Sequence, residues 1–164
     1  MNEKPFRPNV GGVLRNADGL LLMAERLFQP GAWQFPQGGV KPNEALEAAL
    51  WRELGEELGL GSPTTSCRIV AVAPAMRYRF PPQMKARVTE RYVGQEQTLF
   101  LLDFLGQDSD FALDAHPKPE FRAVRWVTPL DAVEMTWSRK RPIVVGALRA
   151  WAEHFDNLDG DALR

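Results

Sequence analysis

The chain has 164 residues, with 20 Lys+Arg against 21 Asp+Glu for a net charge of −1, and 45% of its residues are hydrophobic. That profile fits one globular domain with its own core and excludes a globally basic nucleic-acid binder, so an anionic partner has to be met by a local cationic face. The single cysteine, Cys67, excludes an internal disulfide and a multi-thiolate zinc site. It reads as a small residue at a strand start, in a chain suited to the reducing cytoplasm.

Residues 1–10 include Asn2, Glu3, Lys4, Arg7 and two prolines, so they lack the apolar core of a signal peptide. No stretch approaches the roughly 20 apolar residues of a membrane helix. The apolar runs 10–14 and 20–24 flank Arg15-Asn16-Ala17-Asp18-Gly19, a composition that predicts a hairpin. Residues 29–39 follow, with two prolines and three glycines, and predict a loop pinned by Trp33 and Phe35.

From 43 to 58 the period becomes helical: Asn43 is the expected N-cap, Leu46, Ala49, Leu50, Leu54 and Leu58 form the apolar face, and Gly59 supplies the stop. After a Gly61-Ser62-Pro63 break, residues 68–73, 98–105 and 123–127 predict strands, and 142–155 predict a terminal helix with Pro142 in its first turn. Trp126 and Trp151 are assigned to the core. Strands on both sides of a helix imply a layered α/β domain over 1–155, and 156–164 reads as a polar, frayed tail.

The first helix carries Glu53, Glu56 and Glu57, whose spacing puts three carboxylates on one face within about a turn. Like charges so placed require full solvation or a counterion, and a hard cation such as Mg²⁺ is the natural one. Two readings stand on spacing alone, a solvated acidic face and a metal site.

The wider segment is more specific. Gly38, five residues, Glu44, seven residues, and then Arg52-Glu53-Leu54-Gly55-Glu56-Glu57-Leu58-Gly59-Leu60 resembles the signature of the Nudix hydrolase family at every defined position. The resemblance implies an α/β/α sandwich with a central mixed sheet and a loop-helix-loop that holds Mg²⁺, with Mn²⁺ as a substitute, against a diphosphate. It makes Glu53, Glu56, Glu57 and Gly38 the expected metal ligands. Glu44 and Arg52 become a structural charge pair and Gly59 part of the frame. Glu53 is the favoured general base, with Glu57 and Glu120 as the other catalytic carboxylates, because a base must take the proton of an in-line water.

Further blocks, including Phe6-Arg7-Pro8-Asn9-Val10-Gly11, Trp33-Gln34-Phe35-Pro36-Gln37-Gly38-Gly39, Tyr78-Arg79-Phe80-Pro81, Gly94-Gln95-Glu96-Gln97, Pro119-Glu120-Phe121 and Lys140-Arg141-Pro142, resemble the branch of the family that contains bacterial RNA 5′ pyrophosphohydrolases and dinucleoside tetraphosphate hydrolases. In that light Glu120 is a fourth ligand from outside the helix. Arg7, Arg26, Lys85, Lys140 and Arg141 are the expected phosphate cations. Tyr78 and Phe80 are candidates to stack on a base, and Gln37, Gln95 and Gln97 to contact a nucleotide. Arg139 stands where the branch commonly has an aromatic, so either Arg139 or Trp137 takes the stacking role or the substrate is held differently.

The expected substrate is a 5′-triphosphorylated RNA end, with a dinucleoside tetraphosphate as the alternative and a catalytically silent nucleotide-sensing module as a distant third. The intact set of box carboxylates weighs against the last. Neither a membrane nor a stable protein partner is implied.

Overall fold

The computed structural model describes residues 3–61, 66–158, 160, 161 and 163. The Gly61-Ser62-Pro63 break therefore lies largely outside the described residues. The strands are β1 (Phe6–Arg15), β2 (Leu21–Arg26), β3 (Trp33–Gln34), β4 (Gln37–Gly39), β5 (Cys67–Val72), β6 (Met76–Arg79), β7 (Gly94–Phe104) and β8 (Phe121–Val127). Helices are α1 (Leu46–Leu58), α2 (Arg87–Arg91), α3 (Pro129–Met135) and α4 (Arg141–Ala150).

All eight strands join one mixed sheet whose spine runs β3-β2-β1-β7-β5, with β4 added to β1, β6 to β7 and β8 to β2. β1 and β7 run parallel over their length, from Phe6 opposite Gly94 to Arg15 opposite Asp103, and the other pairs are antiparallel. Strand alternation divides the apolar side chains between the two faces. Val10, Leu14, Leu22, Ala24, Phe100 and Leu102 pack on Ala49, Leu50, Leu54 and Leu58 of α1. Val13, Leu21, Met23, Leu99 and Leu101 pack on Ala132 of α3 and on Ile143, Val144, Ala147 and Leu148 of α4. Helices on both faces of a mixed sheet are the α/β/α sandwich expected from the sequence, and each buried leucine of α1 contributes roughly 1.5–3 kcal/mol.

Three boundaries differ from expectation. Asn43 is not the N-cap of α1: its φ is 62°, in a turn, and Ala45 caps the helix without a side-chain bond. Glu44 closes that turn instead, accepting from the Lys41 N–H at 2.8 Å. The last helix ends at Ala150 and is followed by a short 3₁₀ turn at Ala152–His154, so it does not run on to Phe155. The frayed-tail reading of 156–164 fails at Leu163, which is buried in the core with its carbonyl accepting from Arg149 at 2.8 Å. Trp151 is core as expected, whereas Trp126 is half-buried with its indole N–H on Asp108.

The stop of α1 is as read. Gly59 has φ 76°, and its N–H and that of Leu60 return to the carbonyls of Gly55 and Leu54 at 3.1 and 3.0 Å. A Cβ on Gly59 would stand 2.8 Å from that of Ala112, so the backbone conformation and the close approach both select glycine.

Candidate active site

β4 hydrogen-bonds beside β1, with Val10 opposite Gly38, and this lays the loop after it across α1. Arg52 ties the two together. Its guanidinium donates to both oxygens of Glu44 at 2.8 and 3.0 Å, to Glu53 Oε1 at 2.5 Å and to the Gly39 carbonyl at 2.8 Å. The hydrogen bonds from Arg52 hold the Glu44 carboxyl down at about 2. The expected structural pair is therefore present, and it extends to Glu53. Gly38 is the space that Glu53 occupies: a Cβ there would lie 1.9 Å from the Glu53 carboxyl carbon.

Glu57 lies deeper, 2% exposed. Its Oε2 accepts from the Gln37 N–H at 2.9 Å, while its Oε1 is buried without a partner. Burial first, and then the charge of Glu120, push its carboxyl well above the usual carboxylate range. Burial also raises Glu53, against the opposing pull of Arg52. A buried carboxylate oxygen with no donor, beside two further carboxylates, is a donor set suited to a hard cation. Glu56 stands half-exposed, 3.7 Å from Arg52, and Glu120 is exposed at the end of the chain segment before β8. Among the described residues no three His, Cys, Asp or Glu side chains are already gathered into a group able to hold a metal ion.

Glu53, Glu56 and Glu120 line a cavity of about 830 Å³, and Glu57 adjoins it through the lining residue Gln37. Arg7, Arg26 and Lys140 supply its cations, and Tyr78, Phe80 and Trp137 its aromatic wall. Lys140 Nζ donates to Gln37 Oε1 at 2.7 Å and sits 5.4 Å from the Tyr78 ring centre. Desolvation, and secondly the charge of Arg26, bring its ammonium down to about 8. The Gln97 amide donates to Gln37 and to Asn9, each at 2.6 Å. Gln37 thus holds Glu57 with its backbone and Lys140 with its side chain.

A profile of the NUDIX domain matches residues 5–145. The chain belongs to the Nudix family. A protein named RNA pyrophosphohydrolase from Teredinibacter turnerae is 42% identical over 157 residues, covering 94% of this chain and 91% of that protein. One of the same name from Acidiphilium cryptum is 39% identical over 161 residues, covering 95% of each chain. Among solved structures, a C. elegans Ap4A hydrolase binary complex superposes with a TM-score of 0.65 at 18% identity, covering 91% of this chain and 99% of that one. At that identity the match speaks for the fold.

The Nudix framework does not bring every expected side chain to the cavity. Lys85 and Arg139 are exposed and do not line it. Arg141 lies off it too, its guanidinium donating to the carbonyls of Thr136 at 3.0 Å and Glu134 at 2.7 Å, where it closes the end of α3. The turn after α3 explains the sorting. Lys140 N–H donates to the Trp137 carbonyl at 2.8 Å, and this i to i+3 turn directs 137 and 140 to the cavity and leaves Arg139 outside. Of the two expected stacking residues it is Trp137, 45% exposed and edge-on to Tyr78 at 6.1 Å, that reaches the site. Gln95 lines the cavity and accepts from the Tyr78 hydroxyl at 2.7 Å.

Sequence reasoning passed over Asn9 as a site residue. A polar side chain beside Val10 in a strand of buried apolar residues is the signal that marks it.

Proposed function

We propose that this chain is a divalent-metal-dependent hydrolase that removes pyrophosphate from 5′-triphosphorylated RNA. The observation that carries the reading is one cavity lined by the carboxylates Glu53, Glu56 and Glu120 together with Tyr78, Phe80, Trp137 and Lys140, whose lining residue Gln37 binds the buried Glu57 with its unpartnered oxygen. Relatives named RNA pyrophosphohydrolase align over more than nine-tenths of the chain.

Glu53, Glu56, Glu57 and Glu120, with the backbone at Gly38, would hold Mg²⁺, or Mn²⁺ in its place. Bound there, the cation neutralises phosphate oxygens and lowers the pKa of an attacking water. The protein's own groups supply the rest. Arg7, Arg26 and Lys140 orient the polyphosphate, and the aromatic wall takes the base. Glu53, fixed by Arg52, accepts the proton as water attacks phosphorus in line. One phosphoanhydride P–O bond breaks, leaving 5′-monophosphorylated RNA and pyrophosphate. No helix among the described residues is long and apolar enough to cross a membrane, and a cytoplasmic setting suits both the substrate and the lone thiol.

A dinucleoside tetraphosphate is the second reading, favoured by the size of the cavity and by its contiguous cluster of three rings, Tyr78 with Phe80 and Trp137. The test is kcat/KM with Mg²⁺ on a short 5′-triphosphorylated RNA and on diadenosine tetraphosphate, with Glu53→Gln as blank. A large advantage for RNA supports the first reading, an advantage for the dinucleotide supports the second, and inactivity on both refutes the two together.

A further inference from the structure

We propose that Arg87 and Arg91 of α2, with Lys85 and Lys4 beside them, form a second binding surface that carries the phosphodiester backbone of the RNA strand after it leaves the cavity. This rests on the RNA reading above and extends it beyond the 5′ end.

Charge is the first observation. Although the chain is almost neutral, residues 77–91 hold five of its 20 basic side chains and Glu90 as their one acidic residue. Two of the five are already answered: Arg77 pairs with Glu96 and Arg79 with Glu3, each at 2.6 Å, and both guanidinium groups pack against the Phe6 ring at 5.0 and 5.5 Å. Lys85, Arg87 and Arg91 are exposed, and among the described residues they stand in no ion pair. Arg87 and Arg91 are four apart on one short helix, so they are neighbours of like charge, an arrangement that weakens a helix. Packing does not require it, because α2 buries no residue.

Position is the second observation. The same segment turns from this face directly into the site: Met84 and Val88 line the cavity, and the cations Lys85 and Arg87 are their chain neighbours. The segment is also held in place. Lys4 Nζ donates to the Thr89 carbonyl at 2.9 Å, which brings a further ammonium to α2, and the Thr89 hydroxyl donates to the Ala86 carbonyl at 2.7 Å. Exposed cations on the segment that borders the polyphosphate cavity match a single strand that carries one negative charge at each successive nucleotide. A free nucleotide or dinucleotide would end inside the cavity.

The test compares wild-type protein with the double variant Arg87→Gln/Arg91→Gln on a 5′-triphosphorylated dinucleotide and on a 5′-triphosphorylated strand of about a dozen nucleotides, each over a range of salt. The expected result is a loss of about tenfold in kcat/KM on the long strand at low salt, with a salt slope shallower by roughly one to one and a half, and no change on the dinucleotide. Arg87→Lys/Arg91→Lys should restore most of the long-strand rate, and equal melting temperatures exclude a folding effect. Equal loss on both RNAs, or no loss on either, would overturn the proposal while leaving the RNA reading standing. Inactivity of wild-type protein on both RNAs would overturn that reading, and this one with it. An unchanged long-strand rate with lost retention on anionic phospholipid vesicles would assign the face to a membrane surface instead.

Discussion

Among the carboxylates of the cavity the polar atoms are held from inside the protein, whereas at its open, aromatic end the side chains leave faces and charge uncovered. Arg52 alone binds Glu44, Glu53 and the Gly39 carbonyl, and the Gln37 N–H fixes one oxygen of Glu57. In the rest of the lining Trp137 is 45% exposed, and Lys140 is held by one hydrogen bond, to the side chain of the same Gln37. The difference separates two tasks. On the proposed reading the held end offers the same geometry to any phosphoanhydride and governs the chemical step. On the same reading the open end meets whatever lies beyond the phosphates and governs which compound is bound.

Changes at the held end should therefore reduce kcat on every substrate alike. Glu53→Gln keeps the shape and removes the basicity, and we expect a loss of about 10²- to 10⁴-fold in kcat with an unaltered melting curve. A near-normal rate at saturating Mg²⁺ would take Glu53 out of the mechanism. Gly38→Ala ranks next. Its methyl group would have to occupy the place of the Glu53 carboxyl, 1.9 Å away, so that side chain must swing off Arg52. A displacement of about 1 Å at a reacting group costs on the order of 10²-fold, and the loss should be the same for RNA and for a dinucleotide. Unequal losses on the two substrates would blur the division between the two ends.

The held end was also the legible one, and for a physical reason. Glu53, Glu56 and Glu57 meet because helix geometry joins positions three and four apart, and Gly59 stops the helix because of its own backbone freedom. These are local relations. The position of Asn43 was misjudged because a side chain that can cap a helix can equally adopt the left-handed conformation in a turn before it. The layered α/β arrangement followed from strands on both sides of a helix and the sandwich from the family resemblance, and in the structure strand alternation sorts Val13 from Val10 and Leu14 onto the two faces. The open end is assembled from residues far apart in the chain, such as Tyr78, Gln95 and Trp137, and which of them face inward depends on tertiary turns. Lys85 and Arg139 have the right chemistry in the right neighbourhood and still lie outside, because each has a chain neighbour, Met84 or Lys140, that takes the inward position.

Changes at the open end should act on KM and depend on substrate. Removing the Trp137 ring forfeits stacking of about 1–3 kcal/mol per base, so Trp137→Ala should raise KM for RNA roughly tenfold with little change in kcat. Steady-state kinetics on a triphosphorylated oligonucleotide would check it, and a loss confined to kcat would place Trp137 in the chemistry. A smaller effect is expected from pH. Desolvation brings the Lys140 ammonium down to about 8, so its charge is present below that pH and lost above it. Attraction for phosphate goes with the charge, and KM should climb a few-fold as pH rises through about 8. Bound polyphosphate favours the charged form and moves the midpoint upward in the complex. Lys140→Met should have the higher KM below that pH and no such rise, so that the two proteins converge above it. A rise that persists in the variant would belong to another group.

The smallest effect is expected at Arg139, and it is the sharpest check on how the turn sorts its residues. Arg139 lies between two cavity residues in sequence, carries a cation suited to phosphate, and is exposed. From chemistry alone its removal should resemble that of Lys140. The Lys140 N–H to Trp137 carbonyl bond makes the opposite prediction, because the turn it closes leaves Arg139 off the cavity lining. Arg139→Ala should thus leave kcat/KM on a short triphosphorylated RNA within about twofold of wild type, the scale of a screened charge outside a site. A tenfold loss there, matching Trp137→Ala, would mean that the turn opens when substrate binds and that the aromatic wall is rebuilt around the guanidinium.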